Sequence, residues 1–145
     1  MQLDFTGKRV VVAGGSRGIG RAIALGFAAE GAGVSICARG AEALEATRAE
    51  LARLGVTAHA AVCDLAQGDA VRRFIGAAAA ALGGIDILVN NASGFGASDD
   101  EAGWEASIAV DLMATVRASA AALPFLEAAG GGAIVTISSI SAYRA

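Results

Sequence analysis

The stretch Arg9-Val10-Val11-Val12-Ala13-Gly14-Gly15-Ser16-Arg17-Gly18-Ile19-Gly20 decides the fold. Its three consecutive valines form a short apolar run without polar alternation, which suits a strand buried on both faces. Glycines follow at once. After them, Arg17 to Glu30 carries Ile19, Ile23 and Phe27 at four-residue steps, the spacing of one helix face. Strand, glycine turn and helix open a βαβ unit. Glycines at such a turn permit a tight bend and let a pyrophosphate approach the N–H groups at the helix N-terminus. A P-loop would need Lys-Ser/Thr after Gly20, but Arg21-Ala22 stand there. A turn that merely joins strand to helix is the plainer alternative.

Outward from this stretch the alternation continues. Gly31 and Gly33 stop the first helix, and Val34 to Cys37 reads as the second strand. Residues 41–54 read as an alanine-rich helix with Leu44, Leu51 and Leu54 inward, Glu50 and Arg53 able to pair outside, and Gly55 as its cap. Thr57 to Cys63 is a third strand, and residues 67–82 a third helix closed by Gly83-Gly84. Ile85 to Val89 is a fourth strand, with a loop over Asn90 to Asp100. A long helix is expected over Trp104 to Ala122, bent or restarted by Pro124 and ended by Gly130 to Gly132. Ala133 to Ser138 is the fifth strand. Nothing repeats and no linker divides the chain, so residues 1–145 form one domain.

Composition narrows the function classes. The chain has 145 residues, 55% hydrophobic and 17% charged, which excludes disorder and points to buried elements. The net charge is −3 and the arginines are scattered, so no nucleic-acid surface is expected. No uninterrupted apolar run approaches the ~20 residues of a membrane span, and the N-terminus carries charge too early for a secretory signal. Cys37 and Cys63 lack CxxC spacing, so buried free thiols in a reducing cytoplasm are expected, and no metal site.

The glycines fall at Gly14, Gly18 and Gly20, a G-x-x-x-G-x-G spacing rather than G-x-G-x-x-G. With Asp64 after the third strand, Asn90-Asn91-Ala92 after the fourth, and Ile134 to Ser139 along and beyond the fifth, the chain resembles the short-chain dehydrogenase/reductase family. The resemblance implies an α/β, Rossmann-like, doubly wound parallel sheet with about five strands present and the C-terminal part of the fold missing. It implies a dinucleotide held by Gly14, Ser16, Arg17, Gly18, Ile19 and Gly20. Asp64 would lie at the adenine, with a helix N-cap as its alternative reading, and Asn90 and Ala92 would pack against the cofactor. Ser93 stands where the family usually has glycine, and Ala13 where it usually has threonine.

Family members that prefer NAD place a carboxylate at the end of the second strand. Here Ala38 falls at that place and Arg39 follows, with Arg17 as a second positive charge, so NADP(H) is favoured over NAD(H). The family's catalytic serine corresponds to Ser139, with Ser138 and Ser141 as neighbours. Asp111, within Val110-Asp111-Leu112, stands where the family has a helix asparagine that serves a proton relay, and a buried charge there would alter nearby pKa values. Tyr143 is the only tyrosine and Lys8 the only lysine, so the family's Y-x-x-x-K pair is absent, and Tyr143 reads as a loop residue. The expectation is a fragment of an oxidoreductase that acts on a small carbonyl or alcohol, with a bare fifth strand. The expected assembly is a homo-oligomer, dimer or tetramer. A non-catalytic NADP-binding or regulatory relative and a structural subunit using the long helix are the alternatives.

Overall fold

The computed structural model describes residues 3–96 and 98–140. Five parallel strands, β1 (Arg9–Ala13), β2 (Gly33–Ala38), β3 (Ala58–Val62), β4 (Ile87–Asn90) and β5 (Ala133–Thr136), lie in the order β3-β2-β1-β4-β5. The helices α1 (Gly18–Ala29), α2 (Ala41–Arg53), α3 (Gly68–Leu82) and α4 (Glu101–Ala128) cover both faces. This is the doubly wound arrangement expected.

The central strand explains why it forms. Val10, Val11 and Val12 are all fully buried, Val10 and Val12 against α1 and α2, Val11 against α3 and α4. β-branched residues fit a pleated surface, and only burial on both faces accepts three in succession. The strand order reverses between β1 and β4, so the loops that leave these two strands diverge to opposite faces and open a crevice at the carboxyl edge.

Several expectations need correction. α1 turns Gly20, Ala24 and Ala28 inward, while Ile19 is 64% exposed and Ile23 and Phe27 are only half-buried. Small residues win this face because they let the helix lie close to the sheet. In α2 the inward stripe is Leu44, Thr47 and Leu51; Leu54 lies past the last turn and is exposed. Glu50 pairs with Arg21 of α1 rather than with Arg53. Strand β4 starts later than expected, at Ile87, and β5 ends at Thr136.

The long helix begins at Glu101, where Asp100 Oδ1 accepts the Gly103 N–H at 2.8 Å as an N-cap, and it runs through Pro124 to Ala128 without restarting. Its middle, Ile108–Ala114, is wound as a π-helix. By length and composition α4 could cross a bilayer. It nevertheless carries Asp111 and Arg117, and its Ala114, Ala118, Ala122 and Leu126 are buried with α3 and the sheet, the position of a flanking core helix. The fifth strand does form one edge, and its four residues are exposed. Cys37 and Cys63 are free and buried on the α3 face, and the Cys63 thiol beside it together with burial holds the Cys37 thiol well above the usual range.

Candidate functional site

The crevice at the switch point is framed by the loop after β1 and the loop after β4. The first loop turns at Gly14, whose φ of +88° suits glycine and whose position leaves no room for a side chain: a Cβ there would lie 2.9 Å from Ala92 Cβ. The Gly14 and Gly15 N–H groups both donate to the Cys37 carbonyl, at 3.2 and 3.0 Å, which seats the loop on β2. The Gly14 carbonyl accepts from Asn91 Nδ2 at 2.9 Å. The Ser16 carbonyl accepts from Thr47 Oγ1 at 3.1 Å. The loop is thus fastened from below and from both flanks.

What it presents is the start of α1. Arg17 is the N-cap, in an extended conformation, and no side chain caps the helix. The first-turn N–H groups of Gly18, Ile19 and Gly20 therefore lack the internal partner that a capping residue would give, and the helix dipole makes this end attractive to an anion. Gly18 faces open space, and Ile19 is exposed beside it. Gly20 is buried, and a Cβ on it would overlap the Gly14 carbonyl oxygen. An uncapped helix start behind a side-chain-free loop fits a pyrophosphate group.

Arg17 and Arg39 are both exposed, at the carboxyl ends of the adjacent strands β1 and β2. Among the described residues no ion pair engages either, whereas Arg9, Arg21, Arg48 and Arg72 each have a carboxylate partner. Ala38 ends β2, so the last residue of that strand carries no carboxylate. Asp64 is exposed just past β3; its Oδ1 accepts the Ala66 N–H at 3.1 Å. It is not the N-cap of α3, which is Gln67, so the alternative reading of Asp64 is corrected to a turn residue.

The loop after β4 divides its two asparagines. Asn90 is buried, and its Nδ2 donates to Ser119 Oγ of α4 at 3.2 Å, so its side chain joins sheet to helix. Asn91 points to the other face and holds Gly14. Successive residues leaving a strand point to opposite sides, and that alternation was the available signal for choosing Asn91 as the loop-holding partner. Thr47 was missed because it lies in an alanine-rich helix outside any motif.

Asp111 sits in the π-helical segment and its Oδ1 accepts the Gly94 N–H at 3.1 Å, drawing the loop after β4 onto α4. It is exposed, so the expected buried charge is corrected: the aspartate lies at the surface, hydrogen-bonded to the loop after β4. Ser139 lies three residues beyond the end of β5, exposed, at the same carboxyl edge as the two loops. Ser141 and Tyr143 lie outside the described residues.

Comparisons with known proteins agree with this geometry. A short chain dehydrogenase of Burkholderia cenocepacia, solved with NADP, is 40% identical with a TM-score of 0.89, over 98% of this chain and 59% of that one. A 7α-hydroxysteroid dehydrogenase, solved with NADH and 7-oxo glycochenodeoxycholic acid, is 32% identical with a TM-score of 0.92, over 99% of this chain and 58% of that one. The D-xylose 1-dehydrogenase of Caulobacter vibrioides is 36% identical over 95% of this chain and 56% of its own length. The chain spans about half the length of the curated relatives it matches. The family profile "short chain dehydrogenase" matches residues 8–145, the glycine loop and both asparagines included, and the chain belongs to the short-chain dehydrogenase family.

Proposed function

We propose that the whole protein is an NADP(H)-dependent oxidoreductase that interconverts a carbonyl and a secondary alcohol by hydride transfer. The observation that carries this reading is the uncapped start of α1 flanked by Arg17 and Arg39, two guanidiniums without an ion-pair partner among the described residues, with Ala38 where a carboxylate would repel a phosphate. When bound, the nicotinamide supplies or takes the hydride. Gly14, Ser16, Gly18, Ile19 and Gly20 form the pyrophosphate cradle, Arg17 and Arg39 neutralise the 2′-phosphate, and Asp64 stands at the adenine. Asn90 and Ala92 support the crevice wall. Ser139 orients the substrate oxygen through its hydroxyl, and Asp111 holds the loop after β4 at the place of a water-linked proton relay, which its backbone carbonyl would serve.

The substrate is a small molecule. A homo-oligomer is supported by Trp104, Ile108, Leu112, Val116 and Leu123, large apolar residues exposed along α4. A cytoplasmic setting is supported by the two unpaired, buried thiols.

The experiment titrates the full-length protein with NADPH and NADH, then follows NADPH consumption with a panel of ketones for wild type and Ser139→Ala. Tighter NADPH binding and a turnover that Ser139→Ala abolishes are expected. NADPH binding without turnover of any ketone would favour the non-catalytic relative. Turnover that survives Ser139→Ala would remove Ser139 from the chemistry.

A further inference from the structure

We infer that Thr47, a buried threonine in α2, is a positioning residue that sets the Ser16–Arg17 segment against Arg39 and so tunes the preference for NADPH over NADH. The inference rests on the cofactor reading above and adds to it a residue outside the glycine loop.

Thr47 is 1% exposed, and its Oγ1 lies 3.1 Å from two carbonyl oxygens, Ser16 in the glycine loop and Ala43 one turn back in its own helix. A threonine within a helix ordinarily satisfies its hydroxyl on the carbonyl four residues back. Here the same hydroxyl also reaches the loop. The other braces on the loop come from backbone or from the motif around Asn91: the Cys37 carbonyl takes the Gly14 and Gly15 N–H groups, and Asn91 holds Gly14. Beyond Gly15, Thr47 is, among the described residues, the side chain that holds the loop where it becomes Arg17.

Topology gives this contact its consequence. α2 starts at Ala41, and its extended N-cap Gly40 follows Arg39 directly, so Arg39 stands at the entrance to the helix that carries Thr47. Arg17 follows Ser16 without a break. The Thr47–Ser16 hydrogen bond therefore ties the segment that bears Arg17 to the helix that follows Arg39, and with it the separation of the two candidate 2′-phosphate ligands, while the Arg21–Glu50 ion pair joins α1 to α2. A cofactor with a 2′-phosphate must engage both arginines at once. One with a plain 2′-hydroxyl does not use that separation, so loosening it weakens NADPH more than NADH.

The test measures dissociation constants of NADPH and NADH by calorimetry on full-length wild type, Thr47→Ser, Thr47→Cys and Thr47→Val, with thermal melts for each. Losing the hydroxyl in Thr47→Val should weaken NADPH roughly three- to ten-fold, the size of one hydrogen bond, and NADH by less than about two-fold. Thr47→Ser should keep the wild-type ratio. Thr47→Cys, which differs from it by sulfur for oxygen, should lower the ratio as valine does. The serine–cysteine comparison decides the matter even where the valine variant does not fold. Equal weakening of both cofactors, an unchanged ratio in the cysteine variant, or a serine variant as impaired as the cysteine one would overturn the inference. Wild type that binds NADH as tightly as NADPH would overturn the cofactor reading itself, before any variant is compared.

Discussion

Asn91 Nδ2 donates to the Gly14 carbonyl across 2.9 Å, tying the loop after β4 to the loop after β1 at the point where the strand order reverses. Its neighbour Asn90 faces the opposite side and donates to Ser119 of α4. Asn91→Asp keeps the shape but replaces the donor with a carboxylate facing a carbonyl oxygen. NADPH binding should weaken by about 1–3 kcal/mol. Asn90→Ala should lower the melting temperature and weaken the cofactor less than Asn91→Asp does. Calorimetric titration and thermal melts of both variants separate the two roles; equal losses of affinity would contradict the division.

Gly20 and Gly18 make the second comparison. A Cβ at Gly20 would overlap the Gly14 carbonyl oxygen and press on Asn91 Nδ2, so Gly20→Ala should destabilise the fold by ~1–3 kcal/mol or more. Gly18 has φ +56° with nothing within 4 Å of an added Cβ. Gly18→Val costs backbone strain of about 1–2 kcal/mol, yet its side chain projects into the space a pyrophosphate needs. The folded protein should persist and NADPH binding should collapse. A retained NADPH fluorescence response in Gly18→Val would show that the phosphates lie elsewhere.

The difference between these glycines marks what was legible in the sequence. The βα alternation, the five strands and the site loops could be read because Val10-Val11-Val12, the glycine spacing and the Asn pair are local signals. Which face of α1 would be buried was not. Ile19, Ile23 and Phe27 outrank Ala24 and Ala28 in hydrophobicity, but close packing on the sheet selects Gly20, Ala24 and Ala28 by size. Thr47 was illegible for another reason: its partner Ser16 lies 31 residues away, and only the packing of α2 brings them together. Asp111 was legible by position in its tripeptide but not by environment, because the π-helical winding that presents it at the rim leaves no local sequence mark.

The Arg9–Asp86 clamp gives a pH prediction. Asp86 Oδ2 accepts both the Arg9 backbone N–H, at 2.8 Å, and Nε, at 2.7 Å, while Oδ1 accepts Nη2 at 3.0 Å; this joins β1 to the segment entering β4. The Arg9 side chain is the main cause that holds the Asp86 carboxyl below its ordinary value. A folded value below the unfolded one means stability that is present above about pH 4 and lost as the pH falls through the lower folded value. Asp86→Asn should destabilise by ~1–3 kcal/mol at neutral pH. The gap in melting temperature between the two proteins should narrow in acid. A gap that stayed constant down to strongly acid pH would remove the charge from the account.

Arg39 carries the most direct test of cofactor choice. It follows Ala38 at the end of β2, is exposed, and has no ion-pair partner among the described residues. A guanidinium free of a carboxylate can meet a 2′-phosphate with two parallel hydrogen bonds, and no charge at position 38 opposes it. Arg39→Ala should weaken NADPH by about 1–3 kcal/mol and leave NADH nearly unchanged. Part of the lost interaction is Coulombic and partly screened, so NADPH affinity should fall with added salt more steeply in wild type than in the variant. Ala38→Asp tests the same site from the other side. A carboxylate there accepts from a ribose hydroxyl and repels a phosphate, so NADH should gain relative to NADPH. Dissociation constants for both cofactors, at low and high salt, give all of these comparisons in one experiment. Equal losses for NADPH and NADH in Arg39→Ala would place Arg39 outside the 2′-phosphate contact and leave Arg17 to carry it alone.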